Sequence, residues 1–315
     1  MVARGRSARI HRCLVAAAAL LALVSLGSAC GGSSSASSDG RIVAVGAENE
    51  YADVISQVGG KYVQVSAIMS NPNSDPHTFE ASPSVAQTVG SAKLIVQNGV
   101  GYDDFMDKIE SASPSNSRKV IDVQKLLGLP DSTPNPHLWY DPKTMPAVAK
   151  AVTAQLSALQ PSHAAYFKAR EARFQQSMQP WLAALSQFST RYPGTAVATT
   201  EPVADYMLEA AGIKNLTPFS MQADIMNDTD PPPQDVSLQE SLFSQHRVQA
   251  FVYNQQVTDT ITQDFLKAAG SAGVPVVGVY ETMPPGYTYQ RWMMAELDAL
   301  AKAVTDKVST EKLTG

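Results

Sequence analysis

From Arg41 onward the chain alternates short apolar runs with stretches of helical periodicity, and this rhythm restricts its fold more than any other feature. "RIVAVGA" reads as a buried strand, "EYADVISQVGG" as a helix ending at Gly59, and "YVQVSAIM" as a second strand. "SPSVAQTVGSA" follows as a helix, with Ser82 available as its cap and Pro83 in the first turn. Next come the strand "KLIVQNG", a short helix over Asp103 to Ile109, and the strand "KVIDV". Strand, helix and strand in repetition require crossover connections, hence a mostly parallel sheet with flanking helices.

The alternation restarts near residue 193. "TAVATTE", "AFVYN" and "VPVVGVYE" read as strands, and "PVADYMLEAAG", "DVSLQESLFSQH", "TDTITQDFLKAAGSAG" and a last segment from Tyr289 read as helices. Between the two halves lie the helical "DPKTMPAVAKAVTAQLSAL" and then a long stretch in which Phe167, Phe174, Met178, Leu182, Leu185 and Phe188 recur at helical spacing. About 30 residues at 1.5 Å each reach roughly 45 Å, more than one small domain needs. Pro180 predicts a kink there, or two consecutive helices. The expected fold class is therefore α/β, with two lobes over residues 41–160 and 193–315 bridged by a long helix over 161–192.

Open parallel sheets bind ligands beyond the carboxyl ends of their strands, and two histidines fall on loops of that kind. His77 lies in "NPNSDPHTFEASPS" and His137 in "TPNPHLWYDP", each shortly after a proline among turn-forming residues. Glu201 closes the strand "TAVATTE" and Glu281 closes "VPVVGVYE". Taken singly, each has a plain structural role: a loop histidine bonded to backbone, a carboxylate near a helix N-terminus, a solvated residue at a strand end. Taken together, they put two imidazoles and two carboxylates at corresponding strand ends of two lobes, a donor set suited to a first-row transition metal in the cleft between them. The other histidines fit less well, since His11 is near the N-terminus, His163 opens the long helix and His246 stands beside Arg247.

The first 29 residues carry Arg4, Arg6, Arg9 and Arg12, no acid, and an apolar run from Leu14 to Leu26 that is short for a membrane span; they read as a secretory signal peptide. "LGSACGGSSSASSDG" then resembles a bacterial lipoprotein signal, with Cys30 as the lipid-modified residue and residues 30–40 as a flexible tether, although Gly27 stands where that pattern usually has a leucine. Cys13 and Cys30 are the two cysteines, so no disulfide is expected after the signal is removed. The net charge of −5 becomes more negative once the four arginines leave, which disfavours nucleic acid and is compatible with attracting cations.

"DPHTFEASPS", "VQNGVGYDDF", "NPHLWYDP", "TTEPVADYMLEAAGI" and "VPVVGVYE" together resemble the metal-binding solute receptors of ABC transporters for zinc and manganese, the cluster A-I family, over nearly all of the chain after the signal. The resemblance implies two α/β lobes bridged by one helix, with His77, His137, Glu201 and Glu281 as metal ligands. It further implies an exported, lipid-anchored monomer that passes manganese or zinc to a membrane permease and is no enzyme. Zinc members usually have a third histidine where this chain has Glu201, manganese members usually have glutamate there, and the fourth position is commonly aspartate where this chain has Glu281. Two other functions are open to such a chain. A metal-dependent hydrolase would use Glu201 or Glu281 as general base, though neither an HExxH nor a GxSxG motif is present. A receptor for an organic solute, or an adhesin on the same fold, would not need the metal-competent set.

Overall fold

β1 (Ile42–Glu48) is buried along almost its whole length, as expected for a parallel strand covered by helices on both faces. It belongs to a computed structural model that describes residues 40–73 and 75–313. The expected signal peptide, Cys30 and the tether as far as Asp39 lie outside the described residues. In the first lobe β1 is followed by α1 (Asn49–Gly59), β2 (Val63–Met69), α2 (Pro83–Ser91), β3 (Leu94–Gln97), α3 (Asp104–Ala112), β4 (Lys119–Asp122), α4 (Val123–Leu127) and α5 (Thr144–Leu159). The Ser82 side chain accepts the Val85 N–H and Pro83 occupies the first turn of α2, so this helix starts as the sequence indicates. After the bridging helix α6 (Ala164–Arg191) come β5 (Ala196–Thr199), α7 (Asp205–Ala210), β6 (Lys214–Asn215), α8 (Phe219–Met226), α9 (Pro233–Ser244), β7 (Ala250–Asn254), α10 (Thr260–Ser271), β8 (Val276–Val279) and α11 (Tyr289–Asp306).

The two sheets have one topology. The first runs β2-β1-β3-β4 and the second β6-β5-β7-β8, and every pair within them is parallel. Each lobe's second strand lies to one side of its first strand and the third to the other. Successive connections therefore diverge at that point, which is where an open α/β sheet leaves a crevice at the carboxyl ends of its strands. The final residues extend the second sheet: Gly278 N–H donates to Thr310 O at 2.9 Å and Thr310 N–H to Val276 O at 2.8 Å. A Cβ on Gly278 would strike the Glu311 carbonyl, so this approach requires glycine.

Helix α6 differs from its sequence reading in two ways. It is one continuous helix through Pro180, where two consecutive helices were an expected alternative. Pro180 is exposed, so the carbonyl whose partner it removes can bond water, while Met178, Trp181 and Leu185 on either side remain anchored in the core. Trp181 is also the buried residue at this turn, whereas Leu182 packs only partly against the core.

One apolar cluster runs through both lobes. It joins Val54, Leu94 and Trp139 of the first lobe, Phe174 and Trp181 of α6, and Val252, Val277 and Trp292 of the second. α6 packs on α1 and α5 of the first lobe and on α11 of the second. Among the described residues, no helix is long and apolar enough to cross a membrane.

Candidate metal centre

His77 follows β2 on a 3-10 turn over Pro76–Thr78. Asp75 starts the turn by accepting the His77 backbone N–H at 2.8 Å, and Pro76 fixes the first dihedral. The imidazole is thereby directed at the second lobe, where its Nε2 lies 3.2 Å from Glu281 Oε2, with 23% of the side chain exposed.

His137 is completely buried, just before a second 3-10 turn over Leu138–Tyr140. Asn135 sets its orientation. Asn135 Nδ2 donates to Pro202 O at 2.8 Å and its Oδ1 accepts the His137 backbone N–H at 3.0 Å, so the amide cannot be reversed. Its Oδ1 is then the acceptor facing His137 Nδ1 at 2.8 Å, which makes Nδ1 the protonated nitrogen and leaves Nε2 for the centre. That Nε2 is 3.2 Å from Glu281 Oε2.

Glu281 stands two residues past the end of β8 and is buried. Gln256 Oε1 accepts its backbone N–H at 2.7 Å and that of Thr282 at 2.8 Å, which fixes the turn. Its Oε2 receives the Tyr102 hydroxyl at 2.9 Å in addition to facing both imidazoles. Tyr102 comes from a strained turn in which Gly99, Val100 and Gly101 all have positive φ, a rare conformation for a β-branched residue such as Val100. The turn is held by Asp103, which accepts N–H groups from Asn98 at 2.6 Å and Gly99 at 2.8 Å, and by Gln124, which accepts the Val100 N–H at 2.7 Å.

Glu201 follows β5 and is also buried. It stays outside the close set formed by His77, His137 and Glu281, whose donor atoms all lie within 4.8 Å of one another. Its link to that set is Asn254 at the end of β7, whose Nδ2 donates to Glu201 Oε1 at 3.0 Å and to Glu281 Oε1 at 2.7 Å. Glu201 Oε2 is buried with no hydrogen-bond partner among the described residues.

The charges in this pocket depend on one another. Burial would raise the Glu281 carboxyl, but the imidazoles of His137 and His77 placed against its Oε2 hold it well below the usual carboxylate range. Burial lowers His77, and the hydrogen bond and charge of Glu281 outweigh it, so His77 is raised. For fully buried His137 desolvation wins and the imidazole is lowered. Burial, reinforced by the Glu281 charge, pushes Glu201 well up. The two carboxyls differ because only Glu281 touches the imidazoles.

Cross-lobe bonds surround the centre. Asn49 and Met283 exchange two bonds, at 2.8 and 2.9 Å, Tyr289 donates to Trp139 O at 2.6 Å, and Tyr206 donates to Asn135 O at 2.9 Å. Sequence reasoning picked out His77, His137, Glu201 and Glu281 but passed over Asn135, Tyr102, Asn254 and Gln256. A usable signal existed for two of them: Asn135 shares the "NPH" turn with His137, and Asn254 ends a strand as Glu201 and Glu281 do.

Residues 45–303 match the family described as zinc-uptake complex component A, periplasmic. The chain belongs to that family. It is 28% identical over 152 residues to the zinc-binding protein TroA of Treponema pallidum, a match covering 47% of this chain and 49% of TroA. It is 26% identical over 149 residues to the manganese-binding lipoprotein MntA of Bacillus subtilis, covering 45% of this chain and 48% of MntA. The matched stretches thus span about half of each of these relatives. The solved structure of periplasmic zinc-binding TroA superposes with a TM-score of 0.71 at 21% identity, over 84% of this chain and 99% of that one. The Mn-bound periplasmic metal-binding protein of Candidatus Liberibacter asiaticus gives 0.69 at 17% identity, over 84% of this chain and all of the other. These superpositions establish the two-lobed α/β fold.

Proposed function

We propose that the chain is the extracytoplasmic solute-binding component of an ABC importer, which captures a divalent transition metal, manganese or zinc, and delivers it to a membrane permease. His77, His137, Glu201 and Glu281 are the ligands in this reading. Residues 41–160 and 193–315 act as the lobes that carry them, with 161–192 as the bridge. The observation that carries it is the convergence of two imidazoles and a carboxylate from opposite lobes within 4.8 Å. Zinc bonds such donors at about 2.0–2.2 Å, which at tetrahedral angles spaces the donors about 3.3–3.6 Å apart. The N···O distances from His77 and His137 to Glu281 are both 3.2 Å. Donors this close to one another suit a single ion, whereas an organic solute would need a cavity between them.

Membership of a family described as periplasmic, a zinc-binding relative and a manganese-binding lipoprotein relative support the cargo and the compartment. That lipoprotein also supports Cys30 as the point of lipid attachment to the outer face of the cytoplasmic membrane, and the protein is read as a monomer. The experiment is titration of the soluble chain lacking Cys30 with manganese and zinc, for wild type, His77→Ala and His137→Ala. Wild type should gain about 2.7 kcal/mol of stability at 100-fold ion excess over Kd, and both variants should lose most of that gain while retaining the apo circular dichroism spectrum. No shift with any first-row divalent ion, or metal-dependent turnover of ester, amide or phosphate substrates, would overturn the reading.

A further inference from the structure

Asn254 is fully buried and its side chain is fully committed. Its Oδ1 accepts the Gln256 backbone N–H at 3.0 Å, which fixes which end of the amide is nitrogen. That nitrogen has two hydrogens and two acceptors, Glu281 Oε1 at 2.7 Å and Glu201 Oε1 at 3.0 Å. Each carboxylate therefore has one oxygen engaged by the same amide. The remaining oxygens differ from these: Glu281 Oε2 faces both imidazoles and accepts the Tyr102 hydroxyl, and Glu201 Oε2 is buried without a partner among the described residues.

We propose that Asn254 sets the coordination number of the centre and thereby its choice of ion, by leaving one oxygen of Glu201 and one of Glu281 to join His77 and His137 in a four-donor set that suits zinc better than manganese. The inference rests on the four-ligand reading above and deepens it. Four N and O donors match the tetrahedral sites zinc adopts, whereas manganese is best served by octahedral, oxygen-rich sites. The same four residues could supply six donors if both carboxylates chelated through both oxygens, and the Asn254 bonds oppose that mode. Asn254 is thus a positioning residue acting on the ion through the ligands, and it counters the manganese-like character that a glutamate at position 201 otherwise gives the site.

The test combines X-ray absorption with competition binding on the soluble chain lacking Cys30. Zinc-loaded wild type should show four light-atom donors, and five or more would overturn the proposal without any variant. Asn254→Ala should raise the donor count and move the zinc-to-manganese affinity ratio toward manganese by about 10–100-fold, the usual scale for losing a group that orients metal ligands. Asn254→Ser, which keeps one hydroxyl donor, should fall between. An unchanged ratio and an unchanged donor count in a folded variant would overturn the role of Asn254 while leaving the metal-binding reading intact. Wild type that binds neither ion would overturn both. Circular dichroism identifies a variant that fails to fold, and the wild-type donor count then decides alone.

Discussion

Asn135 contributes to the centre without being a ligand in the proposed set. It fixes the tautomer of His137 through Oδ1 and ties the His137 loop to the Glu201 loop through Pro202. Asn135→Ala should therefore lower metal affinity by about 10–100-fold with the fold retained. Asn135→Asp, which keeps the acceptor for Nδ1–H but loses the bond to Pro202, should recover part of the loss. Calorimetric titration of both variants checks this, and equal affinity in wild type and Asn135→Ala would mean that the tautomer is fixed by something else. At this scale the sequence was legible where chemistry is scarce. Imidazoles in proline-rich turns and carboxylates at strand ends, taken together, single out His77, His137, Glu201 and Glu281; the structure brings His77, His137 and Glu281 within 4.8 Å of one another and leaves Glu201 outside that set. The sequence was harder to read where chemistry is common, because an asparagine reads as a turn former until its partners are known, and the bonds of Asn135 to Pro202 and of Asn254 to Glu281 span 67 and 27 residues.

At the scale of elements, strands with continuous apolar runs were legible in place, although "TAVATTE" and "VPVVGVYE" run two residues past the ends of β5 and β8. "AFVYN" is β7 and the last helix begins at Tyr289. Besides the five-residue α4, which Asp122 caps and Gly128 ends, the elements that were missed lacked the signal on which such reading depends. β6 has two residues, too few for any period, and α8 is an eight-residue helix without a side-chain cap before a proline-rich loop. Pro180 gave a true local signal that tertiary packing overrode. The buried faces of Phe174, Met178, Trp181 and Leu185 keep α6 continuous across a residue that lacks the N–H its turn requires. Pro180→Ala should restore that bond at an exposed position and stabilise the protein by up to about 3 kcal/mol, leaving metal affinity unchanged. Thermal melts and ion titration of the variant test both halves. A lower melting temperature would mean that the bridge needs the proline geometry for its packing.

For the whole molecule, the sequence indicated two lobes, but it could not say which apolar faces meet, and the two share one core through α6 and α11. It also hid where the negative charge resides. Burial pushes Glu48, Glu50 and Glu201 well above the ordinary carboxyl range, Asp103 up to about 7 and Glu296 up to about 8. Glu296, for example, accepts bonds from Tyr140 at 2.8 Å and Trp292 at 2.7 Å deep in the core. In the unfolded chain Glu296 would lose its proton near its ordinary value of 4.5. Between that value and about 8 the folded state binds more protons than the unfolded state, so stability falls as pH rises through this window. His77, also raised, adds to the same trend, because its contribution is present at low pH and is lost as pH climbs through its folded value. His137 opposes it, since a lowered imidazole makes the fold less stable as pH falls, and Glu281 loses its contribution only in strong acid, below the window. The buried acids outnumber this opposition. The metal-free protein should therefore melt at a higher temperature at pH 5 than at pH 8. Glu296→Gln should flatten the slope, because an amide keeps an acceptor for Trp292 and turns an N–H toward the Tyr140 hydroxyl, which can donate to Tyr280 O instead, and it has no proton to lose. A saturating divalent ion should flatten it as well, by favouring the ionised form of Glu201. Melting curves of metal-free wild type, metal-loaded wild type and the Glu296→Gln variant from pH 5 to 8 provide the test. A metal-free melting temperature that rises across this range would mean that these acids ionise inside the fold, with compensation from groups that the hydrogen-bond pattern does not include.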